Sequence, residues 1–155
     1  MSALDLPAWE DTREGEITGP VPDRTDASLW FIGRLRTPWH HPHDCPKRGD
    51  AENGPVCRVE LDPQWQEALD GVTVGPVQLL YWMHRGRRDL LRQSPKNDGQ
   101  TCGTFALRSP MRPNPIASSV VQLLEIDGPV LSVRGLDCVD GTPLLDIKPE
   151  YGVLK

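Results

Sequence analysis

The chain has 155 residues, of which 37% are hydrophobic and 25% charged, which suits one globular domain and excludes a fibrous or low-complexity chain. No apolar run approaches the roughly 18 residues that span a membrane, and the acidic N-terminus lacks the apolar core of a signal peptide, so the expected address is the cytosol. The net charge of −5 sits in residues 1–27, where seven acids face Arg13 and Arg24, while residues 84–112 hold a local +5 that suits contact with phosphates.

Residues 1–27, acidic and poor in apolar side chains, predict a poorly ordered tail, with one folded domain over 28–155. Ser28–Thr37 predicts the first strand, ending at Pro38. A loop rich in histidine, proline and glycine follows to about Pro55. Val56–Leu61 alternates and predicts a strand with Val56, Arg58 and Glu60 on one face. Asp62-Pro63 opens a short helix over 64–69, since Asp is a good N-cap and Pro a good first helical residue. Pro76–Met83 is the most apolar stretch and predicts a central strand.

Arg85–Gln100 reads as a long connection with one or two helical turns over 86–93. Strands resume at 103–107, 116–126, 130–136 and 142–147, with hairpin turns at Asp127-Gly128 and Asp140-Gly141. The 16 prolines and 14 glycines make up about a fifth of the chain, too many for a helix bundle. The fold class expected is all-β: a single antiparallel β-barrel of about seven strands with one or two short helices.

Arg108-Ser-Pro-Met-Arg-Pro-Asn-Pro-Ile116 carries three prolines in six residues. These fix φ, remove N–H donors and push their predecessors into extended geometry, so the segment is a stiff loop presenting Arg108, Ser109, Arg112 and Asn114. A second string, Leu136-Asp-Cys-Val-Asp-Gly-Thr-Pro-Leu-Leu-Asp-Ile-Lys-Pro149, places Asp137 and Asp140 about a turn. Alone, such turn acids are read as capping groups. The four cysteines (Cys45, Cys57, Cys102, Cys138) form no CxxC pair and are expected as free thiols. His40, His41, His43 and Cys45 are good ligand types, but their spacing matches no closed zinc site, so no metal is expected.

Taken together, Gly103–Ile116 and Leu136–Pro149 resemble the hallmark strings "G-x-F-A-x-R-S-P-x-R-P-N-P-I" and "L-D-x-x-D-G-T-P-x-x-D-I-K-P" of the TrmO (YaeB/TsaA-like) family of tRNA methyltransferases. Phe31–Pro38 is similar to that family's opening "I-G-x-I-x-S-P", and the likeness runs from about Phe31 to Tyr151. The apolar strand Gly75–Trp82 departs from the usual "F-S-H-x-W-x-x-F", and Ala117-Ser118 stands where Gly-Leu or Gly-Met is common.

The resemblance implies a β-barrel methyltransferase, usually a homodimer, that uses S-adenosylmethionine to methylate N6 of threonylcarbamoyladenosine beside the tRNA anticodon. Carried over by motif, the cofactor contacts are Asp44, Cys45, Pro46, His84, Arg85, Arg108, Ser118, Asp137, Cys138, Val139 and Asp140. A proton acceptor for the amine is sought among Asp137, Asp140 and His84. Arg112 and Asn114, with Arg87, Arg88, Arg92 and Lys96 of the basic stretch, are expected to face the anticodon arm. Two alternatives stay open: the same barrel methylating another RNA or a small metabolite, and a non-catalytic RNA-binding barrel.

Overall fold

A computed structural model describes residues 12–152. Its nine strands are β1 (Ile17–Thr18), β2 (Gly33–Arg36), β3 (Val56–Leu61), β4 (Gly75–Trp82), β5 (Leu90–Gln93), β6 (Cys102–Gly103), β7 (Ile116–Asp127), β8 (Val130–Arg134) and β9 (Thr142–Pro149). Short 3-10 turns lie at Pro42–Asp44, Pro63–Leu69 and Thr104–Ala106. The chain divides into two units, one of residues 12–28 with 83–117 and one of 29–82 with 118–152.

The larger unit is built on a closed antiparallel barrel in the order β2-β3-β8-β7-β4-β9. Closure leaves the six strands without a free edge. Period-two patterning decides which side chains fill it: Cys57, Val59 and Leu61 of β3 point in, while Val56, Arg58 and Glu60 are more exposed, as their alternation predicts. Leu35, Val59, Leu79, Leu123, Leu131, Val133 and Leu144 are fully buried, each contributing about 1.5–3 kcal/mol of transfer free energy. The β7–β8 turn is the expected hairpin. Asp127 pairs with Val130 across Gly128-Pro129, and Gly128 has φ +59°, the positive φ that a type II′ turn needs at its first central residue.

The all-β class and the antiparallel barrel are as expected; several local assignments are not. The first strand is confined to Gly33–Arg36, and the helix after Asp62 is a 3-10 turn whose N-cap side chain makes no capping bond. Asp140-Gly141 is no hairpin turn, because β8 pairs with β3 and β7 while β9 pairs with β2 and β4. The chain crosses the barrel there.

The smaller unit carries a three-stranded antiparallel sheet, β1-β5-β6. Residues 90–93, expected to be helical or loop, form β5. Its ladder partners come from distant positions 17–18 and 102–103, so main-chain pairing overrides local propensity. Part of the expected tail is thereby ordered: β1 joins this sheet, and Glu16 accepts hydrogen bonds from the N–H groups of Arg13 and Ser94. Residues 1–11 lie outside the described residues. After Gly103 the expected strand becomes a 3-10 turn, where the buried Thr104 hydroxyl donates to the Leu90 carbonyl (2.6 Å) and draws the chain off the ladder. Among the described residues no helix is long and apolar enough to cross a membrane.

Candidate active site

The link between β8 and β9 holds Leu136–Asp140, and the barrel wall contributes Tyr81 of β4 and Ser119 of β7. Tyr81 is 1% exposed, and its hydroxyl donates to Asp137 Oδ1 at 2.7 Å. The Tyr81 hydroxyl oxygen also lies 2.7 Å from Ser119 Oγ. With its own proton directed to the carboxylate, the phenol accepts from Ser119, giving a chain Ser119→Tyr81→Asp137. Burial, and next the Asp137 charge, push the Tyr81 phenol well above its ordinary range, so it remains a donor. Asp137 Oδ2 makes no hydrogen bond among the described residues. One oxygen is tethered and the other keeps its acceptor capacity.

Asp140 is held differently. Its Oδ1 accepts from the Thr37 N–H at 3.1 Å, its Oδ2 lies 3.8 Å from Arg36 NH1, and its own N–H donates to the Trp39 carbonyl. Thr37 in turn donates its hydroxyl to the Cys138 carbonyl at 2.7 Å. Oδ1 therefore pins the 137–140 turn to the end of β2, and Oδ2 faces the Arg36 charge.

The Asp44-Cys45-Pro46 segment lies close to this turn. A Cβ on Gly49 would overlap the Gly135 carbonyl oxygen, so the loop and the start of the turn meet backbone to backbone. Cys45 donates weakly to the His41 carbonyl (3.7 Å), and its thiol is pushed up to about 11 by burial, then by the charges of Asp137 and Asp44. Cys138 is buried, and its thiol is likewise raised, chiefly by desolvation. All four cysteines are free, and both these thiols are protonated at neutral pH. Among the described residues no three His, Cys, Asp or Glu side chains gather as a metal site.

Ser118 and Ser119 leave opposite faces of β7. Ser118 Oγ accepts from Gln78 Nε2 at 2.8 Å, whereas Ser119 joins the Tyr81–Asp137 chain. Ser119 is thus linked to the acidic turn through the Tyr81 hydroxyl.

His84, Arg85, Arg87, Arg88, Arg92, Lys96, Arg108, Arg112 and Asn114 belong to the smaller unit. Several of its cations are used within it. Arg112 NH1 donates to the carbonyls of Leu107 (2.6 Å) and Ser109 (3.2 Å), bracing the proline-rich loop from inside. Arg88 clamps the same loop through the Pro113 carbonyl (2.6 Å) and Asn114 Oδ1 (3.1 Å). Arg87 is matched by a two-bond ion pair with Asp89 (2.8 and 2.9 Å), which lowers the Asp89 carboxyl below its usual range. Arg92 is tied to Thr101. Arg108 and Lys96 are exposed.

Four residues outside the Gly103–Ile116 and Leu136–Pro149 strings organise these sites: Tyr81, Ser119, Thr37 and Gln93. Gln93 is 2% exposed and donates from Nε2 to the Thr104 hydroxyl (3.0 Å) and the Met111 carbonyl (2.6 Å), anchoring the proline-rich loop. Tyr81 alone left a trace, as a hydroxyl placed in the most apolar run of the chain, because buried phenols need a partner.

The chain has well-defined relatives. VirR of Rhizobium radiobacter, named a probable S-adenosyl-L-methionine-binding protein, is 46% identical over 144 residues, covering 92% of this chain and 82% of that one. A tRNA (adenine(37)-N6)-methyltransferase of Mus musculus is 44% identical over 57 residues, covering 37% of this chain and 13% of that one. The crystal structure of TrmO from Pseudomonas aeruginosa aligns with a TM-score of 0.68 at 32% identity, over 82% of this chain. This chain spans 57% of that solved protein's length. Residues 34–152, the barrel and the proline-rich loop included, match the model of one family, and the chain belongs to it: the tRNA-methyltransferase O N-terminal domain family.

Proposed function

We propose that this chain binds S-adenosylmethionine and methylates N6 of threonylcarbamoyladenosine at position 37 of tRNA. The observation that carries the reading is Asp137, a half-buried carboxylate with Oδ1 tethered by Tyr81 and Oδ2 open, inside the Leu136–Pro149 string. Membership of the family, and relatives named for S-adenosylmethionine and for tRNA adenine, support it.

The barrel residues fit such a cofactor. The negative charge of the Asp137–Asp140 turn suits a sulfonium cation, and the protonated thiols of Cys45 and Cys138 offer no competing nucleophile. When bound, S-adenosylmethionine supplies a methyl group activated by the positive sulfur. On the side of the chain, Asp44, Cys45, Pro46 and the Asp137–Asp140 turn would hold it, with His84, Arg85, Arg108 and Ser118 assigned by resemblance. The target amine loses one proton as it gains the methyl group, and Asp137 Oδ2 is the acceptor assigned here. Asp140, bound by the Thr37 N–H and facing Arg36, holds the turn. Most of the acceleration then comes from positioning the amine in line with the methyl carbon.

Lys96, exposed in the basic stretch, is assigned to tRNA phosphates, while Arg88, Arg112 and Asn114 act by keeping the loop rigid. A homodimer in the cytosol belongs to the same reading; a second copy would cover Val120 and Leu124, which are 50% and 38% exposed on β7.

Two assays test the proposal. Calorimetry should show S-adenosylmethionine binding; no binding would favour a non-catalytic RNA-binding barrel. Incubation with tRNA from a strain lacking its native methyltransferase should add one methyl group to the modified nucleoside by mass. Binding without transfer would point to another RNA or a small metabolite.

A further inference from the structure

We infer that Tyr81 is a positioning residue for methyl transfer, its hydroxyl, backed by Ser119, holding the Asp137 carboxylate so that Oδ2 faces the reacting amine. The inference deepens the proposed function and rests on it. Three observations carry it.

First, the tether is short at both ends, 2.7 Å to Asp137 Oδ1 and 2.7 Å to Ser119 Oγ, and Tyr81 is buried, so competing water is excluded from the phenol. Second, the ring is placed by an irregularity in the sheet. Leu80 pairs with Asp146 but Tyr81 pairs with Leu144, a β-bulge that skips Leu145 and re-aims the side chains beside it. Third, Tyr81 is the group that orients Asp137, as no other side chain among the described residues bonds to that carboxylate. A tyrosine kept only for packing would satisfy its hydroxyl with any nearby carbonyl. Here the hydroxyl is directed to an acid in the family string, while neighbouring Asp140 is bound by backbone and arginine instead.

Tyr81 donates and does not itself exchange a proton with substrate: burial raises its phenol far above neutral pH. Its effect therefore passes through Asp137. Removing the hydroxyl frees the carboxylate to rotate, which lowers the fraction of complexes in a reactive geometry and leaves ground-state binding of tRNA in place.

The test uses the full chain with S-adenosylmethionine and tRNA from a strain lacking its native methyltransferase. Tyr81→Phe should lower kcat about tenfold with KM for tRNA within twofold of wild type. Ser119→Ala should lower kcat less, because the phenol still reaches Asp137. In an Asp137→Asn background Tyr81→Phe should cost nothing further, since its effect passes through that carboxylate. A wild-type kcat in Tyr81→Phe, or losses that multiply in the double variant, would overturn the inference while leaving the methyltransferase reading intact. Absence of transfer by the wild-type chain would instead overturn that reading, and this inference with it. A melting curve for each variant separates loss of fold from loss of rate: a kcat deficit that tracks the unfolded fraction would also count against the positioning role.

Discussion

Replacing Asp140 with alanine removes an acceptor from the Thr37 N–H, a backbone donor on a residue only 8% exposed. Leaving that donor without a partner forfeits a hydrogen bond to a charged acceptor, about 1.5–3 kcal/mol. The Arg36–Asp140 pair adds less than about 1 kcal/mol, since its 3.8 Å separation and side chains 39% and 26% exposed leave it well screened. The sum is about 1.5–4 kcal/mol, or roughly 3–16 °C in Tm for a domain of this size. Asp140→Asn keeps an amide oxygen where Oδ1 sits, so its cost should stay below about 1 kcal/mol. Urea titrations followed by tryptophan fluorescence would measure both, as shifts in midpoint at constant slope. If Asn destabilises as much as Ala, or if Ala shifts the midpoint by under about 0.5 kcal/mol equivalent, the hydrogen bond to Thr37 is not what holds the turn. The same variants test the division of labour between the two acids: Asp140→Asn should retain methylation within about tenfold, whereas Asp137→Asn should lose about 10²–10⁴ in kcat with its fold intact.

Three further outcomes follow from the geometry. Gly49→Ala would drive a Cβ into the Gly135 carbonyl, so the loop carrying Cys45 must move off the acidic turn; S-adenosylmethionine affinity measured by calorimetry should fall at least tenfold, for a stability cost of about 1–3 kcal/mol. Gln93→Ala should cost about 2–3 kcal/mol and speed protease cleavage within 108–116, because the Met111 carbonyl loses its partner. Cys45, with its thiol at about 11 against an ordinary 9.0, is protonated below that pH, so its alkylation should be slow at pH 8 and rise as pH increases; Asp137→Asn removes one of the negative charges that hold the thiol up and should speed the labelling, read by mass spectrometry.

How much of the barrel was legible follows from the range of the interactions concerned. Val56–Leu61 alternates in a way its neighbours along the chain already dictate, and the strand lies on those residues. Gly128 carries its own conformational preference into the β7–β8 hairpin. Leu90–Gln93 shows no such local sign, because what makes it a strand is pairing with residues 17–18 and 102–103. Asp140-Gly141 looks like a hairpin turn in the chain, yet the strands on either side of it pair elsewhere. The basic stretch shows the same limit for function: charge is counted from the sequence, but whether Arg112 points to a ligand or back to the Leu107 carbonyl is set by three-dimensional packing.

By itself the sequence determined the all-β class, the family strings around the proline-rich loop and the acidic turn, and the residue types available for chemistry there. These depend on local periodicity, on the fixed φ of proline and on side-chain identity, all of which survive without knowing the fold. Tertiary structure alone decided which of two acids three residues apart is tethered by a buried phenol with one oxygen open and which is bound by a backbone N–H and faces an arginine. That distinction rests on Tyr81, Ser119, Thr37 and Arg36, drawn from positions 36 to 119 and brought together only when the barrel closes.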